Sequence, residues 1–79
     1  MYYFYIFCCK DGSLYSGSTN DLKNRESLHN QGKGSKYVNS RGGGKLIYSE
    51  KFRSKSRALK REAEVKKWPR IKKLNLIKK

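Results

Sequence analysis

The sequence predicts an α+β fold with its elements in the order β-β-α-β-α-α. An unbroken aromatic run at residues 2–9, followed by an Asp-Gly turn, predicts an opening β-hairpin. Serine-, asparagine- and aspartate-rich segments before two polar stretches predict helix starts. With 79 residues, the chain is of the length of one small domain, so we expect a single domain over residues 1–79.

The first strand, residues 2–9, is apolar on both faces, which is typical of a strand covered on both sides. Successive side chains of a strand alternate between faces, so Tyr5 shares one face with Tyr3 and Phe7. Phe4 falls on the opposite face. The hairpin then leads into a second strand at residues 13–18.

The hairpin has two available registers, and they differ in where they place two tyrosines. A two-residue loop puts Tyr5 and Tyr15 on opposite faces of the sheet. A three-residue loop over residues 10–12, with Gly12 in the left-handed position of a bulge, puts Tyr5 opposite Gly17 and both tyrosines on one face. We predict the bulged loop, because only that register allows the tyrosines to share a site.

A helix is predicted to begin within residues 18–21 and to run to about residue 30. Arg25 and His29 are four positions apart, so they project from one face of that helix, with Leu22 on its flank. A lone histidine is more often structural than catalytic, and lone tyrosines are more often core aromatics. A tyrosine, an arginine and a histidine on one side of so short a segment favour a functional site.

The segment of residues 31–44 is rich in glycine and carries three basic side chains, Lys33, Lys36 and Arg41. It fits two interpretations. One is a solvated connection with turn glycines, and the other is a loop that contacts phosphate and orders on binding. It contains no P-loop motif.

A third strand is predicted at residues 45–52, with strict alternation placing Leu46 and Tyr48 on one face. The last helix is predicted at residues 70–79, after the break at Pro69. Its apolar residues recur at helical spacing, which predicts core packing: Ile71, Leu74 and Ile77.

A carboxylate falls in the middle of the apolar side of the second predicted helix, which Ser54 or Ser56 would cap and which runs to residue 67. A buried, unpaired carboxylate is costly, so Glu62 needs a cation. That cation is either a basic side chain or a metal ion. Lys66, one turn later, is a candidate for pairing with Glu62 or for contacting phosphate. The rest of the apolar stripe is Ala58, Leu59 and Val65.

The net charge of +14, from 20 Lys and Arg against 6 Asp and Glu, indicates a polyanionic partner. Nucleic acid, ribosomal RNA and anionic membrane surfaces all satisfy that charge. No apolar run of 18 residues is present, so we expect no membrane span and a cytoplasmic protein.

Taken together, these residues resemble the GIY-YIG nuclease superfamily. The sequence YFY at residues 3–5 and YSG at residues 15–17 is similar to the two-tyrosine signature of that family. Arg25 falls at the motif arginine of the family's helix, and His29 falls where many members carry a histidine. The helix around Glu62 resembles the one that supplies the metal-binding glutamate. The likeness covers essentially the whole chain and is greatest to small stand-alone bacterial members.

The resemblance implies a three-stranded antiparallel sheet flanked by three helices, and metal-dependent hydrolysis of phosphodiester bonds. Glu62 would hold one divalent ion, Mg²⁺ or Mn²⁺. Arg25 would neutralise charge that develops on the phosphoryl oxygens. Tyr5 would activate or orient the attacking water, with its pKa lowered by nearby cations. Tyr15 and His29 would position the phosphate, the water or Tyr5.

The expected function is therefore a DNA endonuclease that acts on branched, damaged or distorted duplex, as in DNA repair, in the bacterial cytoplasm near the nucleoid. We expect a monomer, with a partner protein as one source of specificity. The alternatives are a non-catalytic basic module that binds nucleic acid and a small basic protein associated with RNA. The expected nucleic-acid contacts are Lys33, Lys36, Arg41 and Lys66.

Overall fold

A computed structural model describes residues 1–31 and 42–78 of the protein. Three antiparallel strands, β1 (Tyr2–Cys9), β2 (Leu14–Thr19) and β3 (Gly44–Phe52), form one sheet in the order β2-β1-β3, with β1 in the centre. The predicted fold class and element order are confirmed. No helix in the described part of the chain is long and apolar enough to span a membrane. The helices are α1 (Leu22–Asn30), between β2 and β3, and α2 (Lys55–Lys66) and α3 (Arg70–Ile77), which follow β3.

The hairpin between β1 and β2 has the predicted bulged register. Tyr5 pairs with Gly17 across the two strands, and the Cys9 amide donates a hydrogen bond of 2.8 Å to the Ser13 carbonyl. Gly12 has a φ of +88°, a conformation that glycine adopts without a steric penalty. Both tyrosines of the predicted site therefore lie on the same face of the sheet.

Side-chain caps start the first two helices. The Asp21 carboxylate accepts a hydrogen bond of 3.0 Å from the Asn24 amide, so α1 begins where the N-cap residues predicted. Ser54, rather than Ser56, caps α2 and accepts from the Arg57 amide at 3.3 Å. Because Asp21 follows β2 almost directly, the cap fixes the position of α1 beside the hairpin.

The sheet is packed on both faces. On one face, α2 and α3 cover an apolar cluster formed by Phe4, Ile6, Val65 and Leu76. On the other face, Tyr5, Phe7 and Cys9 form a second cluster against Tyr15, Leu22 and Leu46. The His29 ring of α1 packs on Phe7 at 4.8 Å between ring centroids, so α1 covers this second face.

The prediction that the side chains of β3 alternate strictly between the two faces of the sheet is wrong. The pairing shifts between Ile6, which faces Tyr48, and Phe7, which faces Leu46. Ile47 is therefore an extra residue in β3, a β-bulge that reverses the faces on either side of it. Leu46 packs with the Tyr5 cluster, whereas Tyr48 packs with the Phe4 cluster.

The apolar helix faces also needed correction. Ile71 is 65% exposed, whereas Leu76 is buried at 8% exposure. The buried side of α3 is centred on its last turn, where Leu76 reaches Phe4 and Ile6. In α2, Leu59 is 44% exposed, and Ala58 and Val65 are buried. Regular spacing therefore identified these helices but not the angle at which each rests on the sheet.

An ion-paired network joins β3 to α2. Arg61 donates to both oxygens of Glu50, at 2.8 and 3.1 Å, and the Tyr48 hydroxyl donates to Glu50 at 2.6 Å. Burial raises the pKa of Glu50, but the hydrogen bonds from Arg61 and Tyr48 outweigh it and leave a lowered pKa. Burial and Glu50 together raise the pKa of Tyr48 to about 12. The network is held in its charged form at neutral pH, and it anchors α2 to the sheet.

Candidate active site

Three of the predicted site residues meet on the face that α1 covers. The Tyr5 hydroxyl lies 3.1 Å from His29 Nε2. The Tyr15 ring stands edge-on to the His29 ring at 5.6 Å and tilted to the Tyr5 ring at 6.4 Å between centroids. His29 is 2% exposed. Residues from β1, β2 and α1 thus form one aromatic cluster with a buried hydrogen bond at its centre.

Gly17 makes space for the Tyr5 hydroxyl. A Cβ atom built on Gly17 would lie 2.5 Å from the Tyr5 hydroxyl oxygen and 2.7 Å from the ring carbon that bears it. Any larger residue would displace the phenol, so Gly17 sets the position of Tyr5. The sequence carried a signal for this role, because the bulged register pairs Tyr5 directly with Gly17.

Arg25 lies one turn before His29 on α1, and its charge acts on the cluster. Arg25 Nε and His29 Nδ1 are both buried without a hydrogen-bond partner among the described residues. Either tautomer of His29 leaves Nδ1 unpaired, because Tyr5 already occupies Nε2. Burial, and then the Arg25 charge, lower the pKa of His29 below its usual value. His29 is therefore a neutral imidazole at neutral pH.

Nearby cations were predicted to lower the pKa of Tyr5, and for the protein's own side chains this prediction is wrong. Burial raises the pKa of Tyr5 well above its ordinary value, and the nearby Tyr15 raises it further. Arg25 acts in the opposite direction but does not compensate, and the negative charge of Glu62 adds to the rise. These side chains keep Tyr5 a neutral phenol that donates and accepts hydrogen bonds.

Glu62 points inward, as its place in the helix predicted, and its carboxylate is ion-paired. Lys66 Nζ lies 2.7 Å from Glu62 Oε2, and the Glu62 side chain is 17% exposed against 51% for Lys66. The hydrogen bond to Glu62 raises the pKa of Lys66, which stays charged at neutral pH. The sequence predicted either a basic side chain or a metal ion as the cation beside Glu62, and Lys66 is the basic side chain that pairs with it.

The Glu62–Lys66 pair is electrostatically linked to the tyrosines. The charge of Glu62 acts on Tyr5, and Tyr15 acts on Lys66, while α2 packs against β1 and β2. The structure thus brings Tyr5, Tyr15 and His29 into contact, whereas Arg25 and Glu62 reach Tyr5 through their charges only.

A partly exposed carboxylate suits a hard divalent cation, and the Glu62 side chain is 17% exposed. Across residues 1–31 and 42–78, no group of three or more His, Cys, Asp and Glu side chains could share a metal ion. A metal on Glu62 would take its other ligands from water and phosphate. Three of the predicted nucleic-acid contacts, Lys33, Lys36 and Arg41, lie outside the described residues.

The chain is similar to known proteins over nearly its whole length. Residues 1–75 match the family model described as the GIY-YIG catalytic domain. The chain is 51% identical over 76 residues to a UPF0213 protein of Staphylococcus saprophyticus, covering 96% of this chain and 93% of that protein. It is 46% identical over 76 residues to a UPF0213 protein of Oceanobacillus iheyensis, covering 96% of this chain and 88% of that protein.

A solved structure extends the likeness to three dimensions. The solution NMR structure of the UPF0213 protein BH0048 from Bacillus halodurans superposes with a TM-score of 0.62 at 44% identity, covering 99% of this chain and 84% of that one. The family model, the relatives and the structure each span nearly the whole chain. The chain belongs to the GIY-YIG nuclease family, as a small member similar to the UPF0213 proteins of bacteria.

Proposed function

We propose that this protein is a metal-dependent DNA endonuclease that cleaves phosphodiester bonds in branched, damaged or distorted duplex. One observation carries the proposal. A buried cluster of Tyr5, Tyr15 and His29 lies beside Arg25, and two nitrogens of that site lack partners among the described residues. Buried polar atoms are normally paired, and a phosphate group carries oxygens that would accept hydrogen bonds from these two nitrogens.

In this proposal each residue has a defined role. Arg25 contacts the phosphoryl oxygens and neutralises the charge that develops on them. Tyr5 acts as a neutral phenol, held by His29 and Gly17, that orients the attacking water by a hydrogen bond. Tyr15 and His29 fix the position of Tyr5 and the phosphate. The hydrogen bond and the ring contacts within the cluster support these roles, because they fix the position of the Tyr5 phenol before substrate arrives.

Glu62 would hold the divalent cation, Mg²⁺ or Mn²⁺. When bound, that ion supplies Lewis-acid polarisation of the scissile phosphate. With a single carboxylate, affinity for the metal in the absence of DNA should be weak. Lys66, half-exposed beside Glu62, is in a position to contact the DNA backbone, together with Lys33, Lys36 and Arg41.

The DNA substrate and the charge of +14 support a cytoplasmic protein that works at the bacterial chromosome. We propose that residues 1–79 form one domain that acts as a monomer in DNA repair, with specificity supplied in part by a partner protein. Backbone contacts give affinity without sequence preference, so a distorted or branched structure, rather than a base sequence, fits as the target.

The second candidate is a non-catalytic module that binds nucleic acid. One observation favours it, because Lys66 already satisfies the Glu62 carboxylate and a purely structural pair would need no metal. The two candidates differ in whether Glu62 takes part in chemistry.

The deciding experiment compares wild type with Glu62→Gln on labelled duplex, single strand, flap, fork and four-way junction, in Mg²⁺, Mn²⁺ or EDTA. We expect metal-dependent nicking by the wild type and none by Glu62→Gln, with DNA binding unchanged or slightly tighter. Glu64→Gln is the matched control, because Glu64 is on the same helix, 57% exposed and paired with Arg61. Cleavage that survives in Glu62→Gln would disprove the metal assignment. Binding without nicking on every substrate would favour the second candidate.

A further inference from the structure

The Glu62–Lys66 pair is asymmetric. Glu62 is largely covered and Lys66 is half-exposed, although they are neighbours on one turn of α2 and only 2.7 Å apart. The Glu62 carboxylate is largely covered, whereas the Lys66 ammonium is carried on a flexible four-carbon stem. Lys66 can therefore leave the pair by rotation of its own side chain.

A covered carboxylate without a cation is strongly unfavourable. In the state without metal, Lys66 supplies that cation. A divalent ion on Glu62 supplies the same charge, and it would approach an oxygen that the ammonium now occupies. Two positive charges in contact with one carboxylate repel each other, so one should displace the other.

Building on the proposed function, we propose that Lys66 is an exchangeable counter-ion and positioning residue for Glu62. It holds the carboxylate oriented until a divalent cation replaces it. The released ammonium then contacts a DNA phosphate, so metal binding and DNA binding favour each other through Lys66. Such coupling is reciprocal by thermodynamic linkage.

A purely structural alternative has to be separated from this exchange. Ion pairs four residues apart on a helix are common and contribute little when they are exposed. A structural pair predicts that loss of Lys66 lowers stability and leaves metal affinity unaffected or weakened. The exchange predicts that the same loss makes the metal bind more tightly. Metal affinity in the absence of DNA is therefore the informative measurement.

The experiment titrates Mg²⁺ into isotope-labelled protein without DNA and follows the Glu62 side-chain and backbone NMR signals. We expect Lys66→Gln to bind Mg²⁺ about three- to tenfold more tightly than wild type. Lys66→Arg keeps the competing charge and should stay within about twofold of wild type. Lys67→Gln removes the same charge from an exposed neighbouring side chain, and it should change affinity by less than about twofold.

Equal affinities in Lys66→Gln and Lys67→Gln, or weaker binding in Lys66→Gln, would overturn the exchange. If nicking still depended on Glu62 in that case, the proposed nuclease would stand and only the role of Lys66 would fall. Absence of Mg²⁺ binding in every variant, together with no nicking, would overturn both.

DNA binding in EDTA tests the other half of the exchange, and it does not use the single variant Lys66→Gln. Glu62→Gln releases Lys66, so its affinity for a junction should rise about two- to fivefold over wild type. Adding Lys66→Gln to that variant should abolish the gain, whereas adding Lys67→Gln should preserve most of it. A gain that is lost equally with either lysine would show that charge alone is responsible and would overturn release of Lys66.

Discussion

The two faces of the sheet both bury aromatic side chains but treat polar groups differently. On the face covered by α2 and α3, Glu50 receives hydrogen bonds from Arg61 and Tyr48. On the face covered by α1, Arg25 Nε and His29 Nδ1 are buried without partners among the described residues. On the face covered by α2 and α3, the Ser16 hydroxyl is the one buried side-chain group without a partner among residues 1–31 and 42–78.

An unpaired buried polar atom costs about 1–3 kcal/mol. A small domain has limited stability to lose, so retaining two such nitrogens at one place requires a compensating benefit. The paired network on the other face also rigidifies the platform that carries Glu62. Under the proposed function, the unpaired nitrogens of the α1 face would meet the phosphate, and α2, which covers the other face, would supply Glu62.

The sharpest test of the role of the α1 face is Arg25→Ala. Because Arg25 would meet charge that develops during the reaction, we expect turnover to fall about 10²–10³-fold. Affinity for DNA in EDTA should change less than about threefold, since Arg25 is one of 20 Lys and Arg residues. Lys23→Ala, an exposed position on the same helix, is the control. Equal losses in turnover and affinity would make Arg25 a binding residue instead. Single-turnover cleavage and binding titrations measure the two quantities.

Gly17→Ala tests whether the α1 face depends on the exact position of Tyr5. The new methyl group would meet the Tyr5 hydroxyl, so the phenol must move away from His29. We expect cleavage to fall about ten- to hundredfold. Gly12→Ala is the matched control, because it strains a positive φ but has no atom within 4 Å of the new Cβ. It should lose about 1 kcal/mol of stability and keep its turnover. Similar turnover in both variants would remove Gly17 from the site.

Sequence reasoning succeeded where local chemistry decides the structure. The left-handed Gly12, the Asp21 cap and the Ser54 cap are each set by a few adjacent residues. The shared face of Tyr5 and Tyr15 depends on the hairpin register, and the residues of the turn fit two registers. The bulged register was predicted because it lets the two tyrosines share a site, and the structure confirms it.

The sequence did not predict the features that depend on contacts between distant segments of the chain. The bulge at Ile47 exists only in the pairing of β3 with β1, and Glu50 meets Arg61 only once α2 has docked. The raised Tyr5 pKa depends on how completely β1 and α1 enclose the phenol. None of these features has a local sequence signal, because each depends on the distance between segments that are remote in the chain.

Val65→Ala should lower stability and leave turnover unchanged, unlike the two active-site variants. Val65 is fully buried on the α2–α3 face, so its truncation should destabilise the protein by about 2 kcal/mol and lower Tm by roughly 10 °C. Turnover per folded molecule should be unchanged at a temperature where the variant is folded. Leu59→Ala, an exposed apolar position on the same helix, should change Tm much less. A large loss of turnover in folded Val65→Ala would show that the two faces are coupled.

The smallest expected effect is the pH dependence of stability. His29 is the one histidine in the chain, and burial, then Arg25, lower its pKa in the folded state. Unfolded protein therefore binds a proton more readily, so stability is complete above the ordinary histidine pKa of about 6.5 and is lost as the pH falls below it. Lowering the pH from 7.5 to 5.5 should reduce the wild-type Tm by roughly a few degrees. His29→Gln should be less stable throughout but flat across that range, because Glu50 titrates at lower pH. If the Tm of both proteins fell in parallel, His29 would not be the cause of the pH dependence. The protonated imidazole would then have a partner on the α1 face, and His29 Nδ1 would not be an unpaired buried group.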